Sequence, residues 1–209
     1  MSIANPIRLL IADDQALVRG ALAALLDLES DLVVVGQVGR GDEVVAAARL
    51  TRPDVALLDV EMPGLDGIAA CAALVHALPG CRVLVVTTFG RPGYVRRAIA
   101  AGATGFVVKD TPAAQLADAV RRVAAGLRVI DPTLAIESMA TGESPLTPRE
   151  RDVLVASRDG GTVADIAAAT FLSEGTVRNH LSAAIGKTGA RTRAEAVRLA
   201  AEQGWLLGA

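Results

Sequence analysis

Apolar residues along this chain fall into two rhythms. Through the first 125 residues, short unbroken apolar runs alternate with segments of helical period, which predicts βα units around a parallel sheet. The runs are Ile7–Ala12, Leu32–Val38, Val55–Leu58, Arg82–Thr87 and Gly105–Val108. Val, Ile and Leu without polar alternation suit strands covered on both faces. Helices are predicted between them, near 15–28, 41–50, 65–78, 93–101 and 112–125, the last opened by Thr111 as N-cap with Pro112 at the first helical position. The expectation for residues 1–125 is an α/β doubly wound, five-stranded parallel sheet.

That rhythm stops at Gly126. Residues 126–145 carry no strand pattern, one short helical stretch (Pro132–Met139) and a turn-rich end, and read as a linker. From 146 to 209 every signal is helical. Thr147-Pro148-Arg149-Glu150 is a capping box with Pro at N1, Thr162–Asp165 a weaker version, and Thr192–Glu195 another full one. Ser173 followed by Glu174 supplies an N-cap and an acid where the helix dipole favours it. Four short helices make a small all-α second domain.

Composition narrows the classes. A chain of 209 residues with 52% hydrophobic and 21% charged residues can bury two cores and is not of the disordered kind. No stretch approaches the roughly 18–20 uncharged apolar residues of a membrane span, and the N-terminus lacks a signal-peptide pattern, so no membrane association and a cytoplasmic location are expected. Cys71 and Cys81 lie in an apolar helix-to-strand region and read as small buried thiols rather than a disulfide. His76 and His180 belong to no Cys/His cluster, which argues against zinc. The net charge of −2 hides an uneven distribution. Thr176–Arg193 holds Arg178, Lys187, Arg191 and Arg193 and no acid, a local patch suited to a phosphate backbone.

In an open α/β sheet, chemistry gathers beyond the carboxyl ends of the strands. Asp13 and Asp14 follow the first run, Asp59 ends the third, Thr87 the fourth and Lys109 the fifth. One aspartate after a strand is more often a helix N-cap; the signal is that all five fall at the ends of four strands. Three carboxylates brought together repel, and a hard oxygen-preferring cation such as Mg²⁺ relieves that repulsion. With Lys109 and the Thr87 hydroxyl to hold phosphoryl oxygens, the set suits phosphoryl transfer onto a carboxylate.

The segments IADD, LLDVEMPGLDG, VVTTFG and GATGFVVKD resemble, in order and spacing over about residues 5–125, the receiver domain of two-component response regulators, a flavodoxin-like fold. The resemblance implies Asp59 as phospho-acceptor, and Mg²⁺ held by Asp13, Asp14, Asp59 and the backbone carbonyl of Glu61. It implies Thr87 and Lys109 as phosphate-sensing residues, and Phe106 as a switch aromatic that swings inward when Thr87 moves. Lysine occurs only at 109 and 187 in an arginine-preferring chain, which makes Lys109 informative. Asp110 stands where the family often has Pro; a cis bond costs about 3–4 kcal/mol without Pro, and the isomer stays open.

Residues 146–205, marked by LTPRE, DIA, LSEGTV, TVRNH, IGK and RAEAV, resemble the four-helix helix-turn-helix (HTH) domain of the LuxR/FixJ type. Together the two halves are similar to the NarL/FixJ family, closest to its DesR branch. At 100° per residue, Val177, Leu181, Ala184 and Ile185 share the core side of the third helix. Gly175, Asn179, Ser182, Ala183 and Gly186 face away, with Thr176, Arg178 and Lys187 on the flanks. Small outward residues allow close approach to a major groove. Arg178 and Asn179 suit guanine and adenine edges, and Thr176, Lys187 and His180 suit phosphates. Some relatives carry a second cation where Ser182 stands, which lowers the expected density of base contacts.

The implied partners are a sensor histidine kinase, double-stranded DNA and, on phosphorylation, a second copy of the chain. Two rivals differ in class. Haloacid-dehalogenase-type phosphatases use a strand-end Asp with a second Asp two residues on, where this chain has Glu61, so a phosphate acceptor is expected rather than an enzyme. The other rival is a DNA-binding protein whose receiver is a phosphorylation-independent dimerisation module; the intact acidic set argues against it.

Overall fold

A computed structural model describes residues 5–88, 92–130, 134 and 144–206. These divide into two compact units, the first containing all the strands. Its strands are β1 (Ile7–Ala12), β2 (Leu32–Val38), β3 (Val55–Leu58), β4 (Arg82–Thr87), β5 (Gly105–Val108) and β6 (Val129–Ile130). All neighbours are parallel, in the order β2-β1-β3-β4-β5-β6. The helices are α1 (Ala16–Asp27), α2 (Val44–Thr51, after a 3-10 turn at Gly41–Glu43), α3 (Gly67–Ala77), α4 (Pro92–Ala100) and α5 (Ala113–Ala124).

The unbroken apolar runs are explained by cover on both sides. Leu9, Ile11, Leu57, Leu84 and Val86 pack on one face against Leu26 of α1 and Leu116, Val120 and Val123 of α5. Residues of the other parity, Leu10, Ala56, Leu58, Val83 and Val85, are just as buried on the α2 and α3 side. The connection after β3 is held tightly where chemistry is expected. Asp66 caps α3, accepting from the Ile68 and Ala69 amides at 2.9 and 2.8 Å, and the Gly67 amide donates to the Val60 carbonyl at 2.9 Å. A Cβ on Gly67 would lie 1.7 Å from the Asp59 carbonyl oxygen. Only glycine lets α3 start against the backbone of Asp59.

Two expectations need correction. The sheet has a sixth strand, because Val129–Ile130, placed by its sequence in the linker, pairs with Gly105 and Phe106 of β5. The reversal that returns the chain to the sheet is made by Gly126, at φ +82° with its amide bonded to the Val123 carbonyl. Thr111 does not cap α5: its amide closes a turn onto Val108, Pro112 takes the N-cap position, and the helix begins at Ala113. The helical stretch expected over Pro132–Met139 lies, but for Leu134, outside the described residues. The bond between Lys109 and Asp110 is trans, since no described peptide bond is cis.

The second unit holds α6 (Pro148–Ala156), α7 (Val163–Thr170), α8 (Glu174–Thr188) and α9 (Arg193–Glu202). Leu154, Ile166, Val177, Leu181, Ala184 and Ala196 form its core. The capping boxes at Thr147 and Thr162 are complete, and Ser173 caps α8. The box at Thr192 is half made: its hydroxyl accepts from the Glu195 amide, but the Glu195 carboxylate bonds the Arg191 amide. Glu150 does more than complete its box. Its carboxylate is buried and receives the Lys187 ammonium at 2.8 and 2.7 Å, which ties the start of α6 to the end of α8. Burial pushes the Glu150 carboxyl up, but the bonds from Lys187 and Thr147 outweigh it and the net effect is downward.

Gly67→Ala is expected to weaken the receiver by about 2–3 kcal/mol through overpacking against backbone, read as a lower urea midpoint. Lys187→Ala is expected to cost the helical domain about 1–2 kcal/mol, because Glu150 is left buried with one partner fewer. The sign with pH is fixed by the lowered Glu150 carboxyl. Its contribution is present above the ordinary carboxylate range and lost as pH falls through the folded value. Glu150→Gln is therefore expected to remove that acid-side loss in a pH series of thermal melts.

Candidate functional site

Parallel strands deliver their last residues to one rim. Because β1, β3, β4 and β5 are consecutive in the sheet, Asp13, Asp59, Thr87 and Lys109 come out side by side. The ladder continues just past the strands: the Asp59 amide donates to the Ala12 carbonyl at 2.9 Å and the Lys109 amide to the Thr87 carbonyl at 2.7 Å. Backbone geometry, rather than side-chain contacts, therefore sets the spacing of these four residues.

Carboxylate oxygens of Asp13, Asp14 and Asp59 lie within 4.8 Å of one another. Asp13 and Asp59 are buried and Asp14 is exposed. The Lys109 ammonium sits 2.8 Å from Asp13 Oδ2 and 3.0 Å from Asp59 Oδ2. One ammonium against three carboxylates leaves the cluster two negative charges in excess when all are ionised. Burial pushes the Asp59 carboxyl up, Lys109 pulls it down, and the Asp13 charge pushes it up again; the net effect is upward. Burial pulls the Lys109 ammonium down, and its bonds to Asp13 and Asp59 more than reverse that.

A cleft of about 70 Å³ opens on this cluster, lined by Asp14, Gln15, Asp59, Glu61, Thr87 and Thr88. That volume admits an ion or a phosphoryl group; organic substrates occupy roughly 300–1,000 Å³. Larger cavities of 510 and 670 Å³ lie away from the acids, along α5 and β6 and beside Arg49 and Cys81. Thr87 is buried at the end of β4, at the wall of the small cleft. Phe106 is fully buried, so its ring stands inward. Cys71 and Cys81 are free and buried, and burial raises their thiols to about 12 and about 11.

Three supporting residues have no distinct sequence signal. Arg19, one turn into α1, donates its guanidinium to the Asp13 carbonyl and holds the loop that carries the acids. The backbone amide of Gln15 donates to Asp13 Oδ1 at 2.9 Å, so Asp13 serves as a local turn-former as well as a cluster member. The Tyr94 hydroxyl, buried on α4, lies 3.5 Å from Glu61 Oε1. An arginine or a tyrosine at these positions is common in helices, the Gln15 contact uses only backbone, and the fold alone brings the three to the rim.

In the second unit α8 turns as its periodicity requires. Val177, Leu181 and Ala184 are buried, while Gly175, Arg178, Asn179, Ser182, Ala183 and Gly186 are exposed. Thr176 and His180 are half-buried, and the Thr176 hydroxyl bonds that of Ser173 at 2.8 Å. The cationic patch is less free than its sequence suggests. Lys187 is engaged with Glu150, Arg178 bonds Glu174 at 2.6 Å, and Arg193 donates to the Gly161 carbonyl at 2.7 Å. Lys187 thus has a structural role that its place on the helix flank did not announce. Among the described residues no helix is long and apolar enough to cross a membrane.

Residues 9–121 match the family model of the response regulator receiver domain, and residues 144–200 that of bacterial regulatory proteins of the luxR family. The transcriptional regulatory protein YvfU of Bacillus subtilis is 44% identical over 96% of this chain and 100% of its own length. DesR of the same organism, also a transcriptional regulatory protein, is 41% identical over 95% of this chain and 98% of its own. The crystal structure of the response regulator ChrA, from a heme-sensing two-component system, superposes with a TM-score of 0.58 at 33% identity, covering 96% of this chain and 99% of that one. With both domains matched in order, and relatives aligned over nearly their whole length, the chain belongs to the two-component response regulators of the NarL/FixJ family and is a transcription regulator with a LuxR-type DNA-binding domain.

Proposed function

We propose that Asp59 accepts a phosphoryl group from a sensor histidine kinase and that the modified receiver drives pairing and DNA binding. The observation that carries this reading is the rim itself: a buried carboxylate at a small cleft, with a second and third carboxylate, one ammonium and one hydroxyl around it. In the transfer, the phosphorus–nitrogen bond of the kinase phosphohistidine breaks and a phosphorus–oxygen bond to the Asp59 carboxylate forms. No proton is needed on Asp59, which is why a carboxylate without a neighbouring base is adequate.

The excess negative charge of the cluster fits a hard divalent cation. Mg²⁺ would be held by Asp13, Asp14, Asp59 and the Glu61 carbonyl, and when bound it neutralises charge on the incoming phosphoryl group. The chain's own residues do the rest. Lys109 exchanges its bond to Asp59 for one to a phosphoryl oxygen, and the Thr87 hydroxyl donates to another. Both residues sit at strand ends that lead into α4 and α5, so their movement shifts that surface. Phe106, on β5, is the switch aromatic of this reading; its ring is already buried, so it takes up the space that Thr87 leaves by repacking and not by an inward swing.

Pairing of two copies has a physical basis on α1. Leu17, Gly20, Ala21, Ala24, Leu25 and Leu28 are all exposed and none is charged. Such an apolar helical stripe on a water-soluble surface is suited to burial against its own copy. Two receivers joined in this way would present two LuxR-type domains to a repeated half-site of double-stranded DNA. There Arg178, Asn179 and Ser182 meet the bases, and Thr176 and His180 the backbone. Lys187 reaches DNA only by giving up Glu150. The setting is the cytoplasm, where kinase and DNA meet.

Treatment with acetyl phosphate and Mg²⁺ is expected to add one phosphoryl mass to the wild type and none to Asp59→Ala. The treated wild type is expected to bind paired half-sites roughly tenfold or more tighter than the untreated chain. An Asp59→Ala chain that still gained affinity would contradict the scheme. The raised Asp59 carboxyl gives a second expectation. A group whose folded value is raised contributes stability at low pH and loses it as pH rises, so ionised Asp59 weakens the receiver at neutral pH. Asp59→Asn is expected to raise the urea midpoint at pH 7, and added Mg²⁺ to raise that of the wild type more than that of the variant.

A further inference from the structure

Glu174 is the one acid on the exposed surface of α8, and its carboxylate holds the Arg178 guanidinium at 2.6 Å. Neither is buried: their side chains are 50% and 62% exposed. The capping role in this turn already belongs to Ser173, whose hydroxyl accepts from the Thr176 amide at 3.1 Å. Beyond the pair the outward positions Gly175, Asn179, Ser182, Ala183 and Gly186 carry no charge, and the exposed Lys187 near the end of α8 is held by Glu150. A negative group at this point repels a phosphate backbone and cancels the positive end of the helix dipole. It therefore lowers the sequence-independent, phosphate-driven part of DNA affinity, and it also engages the Arg178 cation.

We propose that Glu174 is a specificity-determining residue that acts with Arg178 to read two adjacent base pairs, a guanine and a cytosine. The inference rests on the reading that α8 enters the major groove. There Arg178 donates to guanine O6 and N7, and the Glu174 carboxylate accepts from the cytosine N4 amino group. The pair works by penalty as much as by attraction. An arginine with no acid beside it reaches the nearest phosphate and binds any sequence. With Glu174 in place, docking on a wrong sequence leaves a desolvated carboxylate facing base acceptors with no donor, which is strongly unfavourable. The i,i+4 spacing brings the two heads to one face of the helix, so a correct step satisfies both at once.

The test is selection from a randomised duplex library by the full chain treated with acetyl phosphate and Mg²⁺, followed by titrations at several salt concentrations. Wild type, Glu174→Ala, Glu174→Gln and Arg178→Ala are compared, each checked for an unchanged thermal transition of the helical domain. Glu174→Ala is expected to lose preference at the cytosine position by roughly 5- to 100-fold while keeping the guanine. It is also expected to bind unrelated DNA more tightly, with a salt slope steeper by about 0.9 per chain. Glu174→Gln, which keeps the shape and loses the charge, is expected to move the preference from cytosine towards adenine. Arg178→Ala is expected to lose the guanine. If both Glu174 variants select the same sequences as wild type while Arg178→Ala does not, the inference is overturned and α8 still faces the groove. If Arg178→Ala also selects as wild type, the placement of α8 fails and the inference with it.

Discussion

The receiver is organised around a charge imbalance that its topology imposes. Parallel strands end on the same side, and the chain places acids after two neighbouring strands and a lysine after a third. The Lys109 ammonium bridges Asp13 and Asp59 and leaves two carboxylate charges uncompensated. Burial makes this worse, as the upward displacement of the Asp59 carboxyl records. A site of this kind gains stability from any group that brings positive charge or removes a negative one. The same property makes it receptive to a cation and, under the proposed phosphorylation of Asp59, would reorganise it when the dianion arrives. Gly67, Asp66 and Arg19 are the surrounding parts that keep the strained arrangement in place.

Lysine is used in the second unit by the same logic. The chain has only two lysines, and each lies against a buried carboxylate, Lys109 on Asp13 and Asp59, Lys187 on Glu150. Elsewhere arginine makes the ion pairs, largely at exposed positions where a planar fork loses little by remaining hydrated. A compact ammonium on a flexible stem suits a narrow buried partner. In the helical domain this pair is structural and joins α6 to the end of α8; in the receiver it is the part proposed to move on phosphorylation. The difference lies in the company: Glu150 has one cation for one acid, whereas Asp59 shares its cation with Asp13.

Most of this was legible in the sequence for identifiable reasons. The apolar runs of the inner strands β1, β3, β4 and β5 reflect cover on both faces, the edge strand β2 is only partly buried, and the ends of all five could be read to the residue. The five-residue rim was legible because strand ends carry their own position. The sixth strand was not: two residues have no period, and its pairing depends on the reversal at Gly126. Thr111 failed as a cap because the first carbonyl of the helix is that of Pro112, which accepts from the Gln115 and Leu116 amides, so α5 starts one residue further on than the Thr-Pro pair indicates. Lys187 and Arg193 looked free because their partners, Glu150 and the Gly161 carbonyl, are 37 and 32 residues away in sequence. Long-range polar pairing is the part of this chain that periodicity could not supply.

If the rim selects the acceptor, Asp59 and no other residue takes the phosphoryl group, and it does so only with a divalent cation. The most direct measurement is to trap the labile acyl phosphate by borohydride reduction after incubation with acetyl phosphate, and to map the reduced residue by peptide mass spectrometry. The expected result is reduction at Asp59 alone, present with Mg²⁺ and absent when the metal is chelated. Reduction at Asp13 or Asp14, or equal labelling of Asp59 without a divalent ion, would contradict the account.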